Sequence, residues 1–254
     1  MPEGWARTDA GIRGWNVESV LNAYRAKLPS FREALEGSGP IGLATSAAVP
    51  LGEPNLFDQN TVLAFAYALL LASRNTGRVS VLDWGGGLGF HYYLSRALLP
   101  DDVEIDYHCT DMPIIGRHGR EAVPEITFWD DDKCLADRYD LVFASSSLQY
   151  TEAWTDLLTD LARASRRYLF LTRVPVVLHN ASFVILQRIR PVESEFLSWV
   201  FNRQELLDSA DRARMTLVRE FLLGRRVPPG YKPLVAGAPE QDEIRAYLFT
   251  RSPS

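Results

Sequence analysis

The chain has 254 residues, 46% hydrophobic and 23% charged, with a formal net charge of −5. That length suits one large α/β domain with a sizeable core, and an acidic balance gives no support to a nucleic-acid surface, which needs concentrated positive charge. Cys109 and Cys134 are too few for a disulfide framework or a cysteine zinc site and fit reduced thiols in a cytoplasmic protein. The first residues, Met1-Pro2-Glu3-Gly4-Trp5, show no basic region followed by an apolar one, which argues against export. The longest apolar run, Thr61 to Ser73, falls short of the roughly 20 residues that span a bilayer, so a soluble protein without a membrane partner is expected.

In chain order, a helix is predicted around Val17–Ala26 and a second, short one from Ser30 to Leu35. Asp58 or Asn60 could cap a long apolar helix over Thr61–Ser73, which Asn75-Thr76-Gly77 would end. Strands then alternate with helices. Val79–Asp83 reads as a strand, Phe90–Leu99 as a helix, Val103–Thr110 and Ile126–Phe128 as strands, and Leu141–Ser145 as a fourth strand. A helix over Thr155–Ser165 and a strand over Tyr168–Thr172 follow. Beyond Thr172 the pattern breaks at His179-Asn180 and two prolines. Asn202 or Gln204 opens a helix-like stretch over Glu205–Ala210, and Thr216–Leu223 with Ala246–Arg251 suit a terminal antiparallel pair. Such alternation predicts a doubly wound, mostly parallel sheet covered on both faces.

The stretch Val81-Leu82-Asp83-Trp84-Gly85-Gly86-Gly87-Leu88-Gly89 ends a buried strand and opens a helix through a glycine turn. Such a turn brings backbone N–H groups and a helix N-terminus close to a ligand. The G-x-G-x-x-G dinucleotide spacing fails, because position 90 is Phe90 and position 88 is Leu88. Asp83 stands where a pyrophosphate would be repelled and suits a cofactor with a positive group, a sulfonium or an α-amino group. Electrostatics thus favours S-adenosylmethionine over NAD.

The same residues resemble motif I of the class I S-adenosylmethionine-dependent methyltransferases. The resemblance implies a seven-stranded Rossmann-like sheet with the cofactor across the strand C-termini, here with a helical N-terminal extension. It assigns Asp83, Gly85, Gly86, Gly87 and Gly89 to the methionine end, Asp111 after the second strand to the ribose hydroxyls, and Met112 to the adenine face. An acid after the third strand, Asp130 or Asp131, would meet the adenine amino group, and Ser145 with the following Ser146-Ser147-Leu148-Gln149-Tyr150 would line the methionine end. The resemblance covers residues 76 to 173 well and the flanks poorly. More narrowly, Asp-Trp-Gly-Gly-Gly-Leu-Gly-Phe-His-Tyr-Tyr, Ser-Ser-Leu-Gln-Tyr and Trp-Val-Phe-Asn-Arg resemble a bacterial methyltransferase subfamily often associated with surface-polysaccharide or secondary-metabolite pathways. That implies a small-molecule acceptor and a biosynthetic role. One domain over 1–254 is expected, with 1–75 as a lid and part of the acceptor site and 76–254 as the cofactor-binding core; a homodimer stays open.

Methyl transfer is an in-line displacement, so orientation can carry much of it and a base is needed only for a protonated acceptor. His179 is the foremost base candidate because imidazole titrates near neutrality. His91 begins the helix that follows the glycine turn, beside the pocket, and Tyr150, a poor base at its ordinary pKa, suits an orienting role. Arg173 could bind an acidic acceptor or pair with a nearby carboxylate. The four histidines show no metal-ligand spacing, so no metal is expected. Two rivals remain at this stage: a nicotinamide-dependent oxidoreductase on the same sheet, and a protein that binds S-adenosylmethionine without transferring methyl, as a scaffold or cyclase.

Overall fold

A computed structural model describes residues 13–47, 49, 52–225 and 243–252. Its described elements are α1 (Glu18–Glu36), α2 (Leu56–Ser73), β1 (Arg78–Trp84), α3 (Phe90–Leu98), β2 (Glu104–Thr110), α4 (Pro113–Ala122), β3 (Thr127–Trp129) and β4 (Tyr139–Ser145). They continue with α5 (Trp154–Ala164), β5 (Ser165–Val177), β6 (Phe183–Ile189), β7 (Ser194–Asn202), α6 (Arg203–Arg212), β8 (Met215–Arg225) and β9 (Glu243–Arg251). Strands β3, β2, β1, β4 and β5 run side by side and parallel. Beyond β5, β9 pairs antiparallel, and β8 then pairs antiparallel with β9. These seven strands are the doubly wound, mostly parallel α/β sheet expected, with the antiparallel terminal pair.

The sheet is apolar on both faces, and two groups of helices cover it. One core joins α1, α2, α3 and α4 to the sheet through Phe31, Phe65, Phe90 and Ile115. The other seats α5 and α6 through Leu158, Leu161 and Leu206. Strands buried on both sides read as continuous apolar runs, which is why β1, β4 and β5 stand out in the sequence.

Several expectations need correction. Residues 17–35 form one helix and not two: Pro29 sits inside α1. A proline removes a single intrahelical hydrogen bond, and burial of Leu28 and Phe31 on either side of it holds the turn together. Helix α2 starts earlier than predicted, with Asn55 as its cap, accepting from the Asp58 backbone N–H at 3.0 Å. At 18 residues α2 is long and apolar enough to cross a membrane by length and composition, but half of it is buried inside this fold against β5 and β8. Helix α4 and the β6–β7 hairpin were not expected. The hairpin hangs from the extended end of β5, where Val176 and Val177 pair in parallel with Phe201 and Asn202.

Candidate functional site

The glycine turn leaves β1 at its C-terminal end, tied to β2 by the Gly85 N–H, which donates to the Thr110 carbonyl at 2.8 Å. Gly86 has no room for a side chain: a Cβ there would lie 2.5 Å from Asp83 Oδ2 and 2.7 Å from Cys109 Sγ. Gly87 takes a left-handed φ of 60°, and a Cβ on it would stand 3.0 Å from the Tyr24 ring. The turn is thus packed from beneath by Asp83 and Cys109 and from the α1 side by Tyr24.

In front of it lies a cleft of about 770 Å³, open mouth included, at the C-terminal ends of β1, β2, β4 and β5. Gly85, Gly86, Phe90, His91, Asp111, Met112, Ser145, Ser146, Ser147, Tyr150, Thr151 and Arg173 line it, and Trp15, Val20, Tyr24, Thr45 and Ser46 close it from the N-terminal side. Asp111 is fixed by two backbone donors, the Gly87 N–H to Oδ2 at 2.7 Å and the Met112 N–H to Oδ1 at 2.6 Å. Burial raises its pKa, and those two N–H groups pull it back. Each oxygen keeps a lone pair for a ligand hydroxyl. Met112, 2% exposed, presents an apolar wall beside it. Ser147 donates from its hydroxyl to the Trp84 carbonyl at 2.6 Å, locking the loop after β4 to the end of β1. Ser146 takes a positive φ of 53° there.

Other expected site residues lie elsewhere. Asp83 does not line the cleft; it is fully buried behind Gly86, accepting from the Tyr107 hydroxyl at 2.8 Å. Burial pushes its pKa up to about 7, against the pull of that hydrogen bond. Asp83, expected as a negative charge suited to a positive cofactor group, is a titrating carboxyl under the turn. Gly87 and Gly89 also sit outside the lining and shape the turn. Asp130 pairs with Arg120 at 2.8 Å and Asp131 with Lys133 at 2.8 Å; both are exposed and neither lines the cleft. His179 lies on the exposed bend after β5, outside the cleft, so the expected base is not in the site.

His91 does line the cleft, but it is not a base poised near neutrality. Its ring is packed edge-on against Phe65 and Phe143, and burial, with Arg173 second, lowers its pKa to about 3. It is therefore neutral at pH 7, 3.7 Å from Asp83 Oδ2, with its Nδ1 unpaired among the described residues. The Tyr150 hydroxyl donates to Gln187 Oε1 of β6 at 3.0 Å, and its ring meets Trp15 edge-on at 5.0 Å.

The cleft's N-terminal wall falls within the 1–75 segment expected as a lid, but the residues that build it were not singled out. Trp15 stacks on Phe196 of β7 at 3.8 Å between ring centres, so the segment just before α1 closes on the hairpin. Lys27 is 4% exposed, and its ammonium donates to the carbonyls of Ser46, at 2.5 Å, and Val49. Burial, with Arg173 second, lowers its pKa to about 8. A lone lysine among α1 residues gives no hint that it pins the loop forming one side of a cleft.

No protein-family model matches the chain, and no curated protein matches it by sequence. Solved structures do resemble it. An uncharacterised ACR superfamily protein from Burkholderia thailandensis superposes at a TM-score of 0.55 with 11% identity, over 92% of this chain and 94% of that one. An S-adenosylmethionine-dependent methyltransferase from Clostridium acetobutylicum superposes at 0.50 with 10% identity, over 76% and 92%. At such identities the likeness is one of fold, and the fold is the Rossmann-like one of S-adenosylmethionine-dependent methyltransferases.

Proposed function

We propose that the chain is a methyltransferase that uses S-adenosylmethionine to methylate an oxygen or nitrogen of a small metabolite, releasing S-adenosylhomocysteine. The observation that carries this reading is the single cleft that joins the packed glycine turn, the Asp111 carboxylate, the Met112 wall and the Ser145–Ser147 loop. The residues fit the cofactor: Gly86 leaves backbone where a side chain would collide, and Asp111 keeps acceptor capacity toward the cleft. S-adenosylmethionine supplies an electrophilic methyl group on a sulfonium.

The chain's own residues bind, orient and exclude water. Asp111 takes the ribose hydroxyls, Met112 packs on the adenine, and Gly85, Gly86 and Ser145 line the methionine end. The segment Trp15–Ser46 is the lid and acceptor wall of a one-domain enzyme, keeping water from the reacting centre. Tyr150 orients the acceptor, its phenol held by Gln187. With His91 neutral and weakly basic and His179 outside, the reaction relies on orientation more than on a strong base. A small metabolite suits the enclosed cleft and the acidic chain, with neither nucleic acid nor membrane as partner.

Calorimetric titration tests this: S-adenosylmethionine and S-adenosylhomocysteine should bind in the micromolar range and NADH should not. Binding of NADH alone would restore the oxidoreductase reading. Release of S-adenosylhomocysteine in step with a methylated product separates transfer from mere binding.

A further inference from the structure

Among the described residues lining the cleft, one is a carboxylic acid, Asp111 after β2, and one is an arginine, Arg173 on β5. The strands run β2, β1, β4, β5, so at about 4.8 Å per spacing the backbones carrying these two side chains stand roughly 14 Å apart across the sheet. Asp111 enters the cleft from the end of β2 and the glycine turn from β1, whereas Arg173 enters it from β5, beyond β4.

Arg173 is built into the site by its backbone. It has a left-handed φ of 56° at the irregularity of β5 between Leu171 and Val174, so the strand itself re-aims this side chain. The side chain is 11% exposed, lies 5.2 Å over the Phe57 ring, and meets Asp58 Oδ1 only at 3.5 Å. Its guanidinium makes no hydrogen bond within the described residues, although it has five N–H donors in a planar fork. Lys27, buried nearby and bonded to carbonyls, adds a second positive charge to the same region, and Asp58 opposes both. The stretched pairing with Asp58 already presents a carboxylate to Arg173, at a distance a better-placed one would shorten.

Building on the methyltransferase reading, we propose that Arg173 recognises a carboxylate on the methyl acceptor, making that acceptor a small organic acid whose apolar body rests against Trp15 and Tyr150. Asp58 then serves as the resident counter-ion that the acceptor displaces. A charge-assisted, bidentate pair with a guanidinium gives geometric selection as well as affinity, so acids are preferred over their neutral amides.

The test uses the full chain saturated with S-adenosylhomocysteine and titrated calorimetrically with benzoate, 4-hydroxybenzoate, phenylacetate and indole-3-acetate, each beside its carboxamide. At least one acid should bind tenfold or more tightly than its amide. Arg173→Gln should erase that preference, Arg173→Lys should weaken it, and Asp58→Asn should strengthen acid binding several-fold. Opposite signs from two substitutions that both remove the same ion pair are not expected of a merely structural contact. Equal binding of acids and amides, or acid binding weakened by Asp58→Asn, overturns the proposal. So does a tenfold loss of S-adenosylhomocysteine affinity in Arg173→Gln with 5′-methylthioadenosine unaffected, because Arg173 would then hold the cofactor's own carboxylate. If Arg173→Gln fails to fold, Arg173→Lys and Asp58→Asn decide the question. Failure of the wild type to bind S-adenosylhomocysteine overturns the methyltransferase reading and this assignment together, whereas binding without acid preference overturns the assignment alone.

Discussion

Asp83 shows how one buried atom sets the behaviour of a turn. Its pKa near 7 exceeds the ordinary carboxylate value because the charged form loses its hydration. A carboxyl whose pKa is raised on folding contributes stability that is complete below its unfolded pKa and is lost as pH rises through the folded one. Asp83→Asn, which cannot ionise, escapes that loss. Urea unfolding at pH 5.5 and 8.5 should show the wild type falling relative to the variant by on the order of 2 kcal/mol, at about 1.4 kcal/mol per pH unit between pH 5.5 and 7. A constant difference across that range would mean that Asp83 is already ionised within the fold. Gly86→Ala tests the same packing sterically: a Cβ 2.5 Å from Asp83 and 2.7 Å from Cys109 should cost roughly 1–3 kcal/mol by urea unfolding and lower S-adenosylhomocysteine affinity at least tenfold. The motif revealed the turn, since glycines are printed in the sequence. The orientation of Asp83 was not legible, because it depends on Tyr107 and Cys109, which come from the neighbouring strand.

At the scale of elements, the strands and helices legible in the sequence are those with one strong period or a continuous apolar run. β1, β4 and α5 were read nearly to their ends. Helix α4 contains two poor helix formers, Gly116 and Gly119, and the second is needed for packing: a Cβ on Gly119 would stand 2.5 Å from the Phe128 ring. The hairpin escaped because β6, Phe183-Val-Ile-Leu, is apolar on both faces yet leaves Val184 and Leu186 exposed, so its pattern gives no inside and outside. Asp130 and Asp131 follow β3 as the resemblance required, but their partners Arg120 and Lys133 decide where they point. Of the two starts read for α6, Asn202 is the cap, accepting from the Gln204 and Glu205 N–H groups at 2.9 and 3.1 Å. Asn202→Ala should cost about 1 kcal/mol, measured as a lowered urea midpoint with unchanged slope. Its side chain also donates to the Asn180 carbonyl at 2.7 Å, so the bend after β5 should become easier to cleave by protease in the same variant.

Over the whole molecule, the glycine turn, Asp111 and Met112 were legible as parts of one site, whereas Arg173 was read with two alternatives and the N-terminal wall only as a range. The glycine turn is written in one continuous stretch, whereas the rest of the cleft is assembled from Trp15 to Ser46, Asp111 with Met112, the loop after β4, and Arg173. If Tyr24 packs against Gly87 as described, S-adenosylhomocysteine should slow amide hydrogen exchange in α1 as well as in α3. Protection confined to α3 would detach the N-terminal segment from the site. The stacking of Trp15 on Phe196 carries a further consequence for how the protein is made. The two rings are separated by most of the chain, and closing so long a loop is entropically unfavourable until the intervening sheet exists. A ligand held by that closure cannot speed the climb to the folding barrier; it acts on the descent. Stopped-flow measurements with S-adenosylhomocysteine should therefore show slower unfolding at an almost unchanged folding rate, so that occupancy of the cleft certifies a finished chain and extends its lifetime.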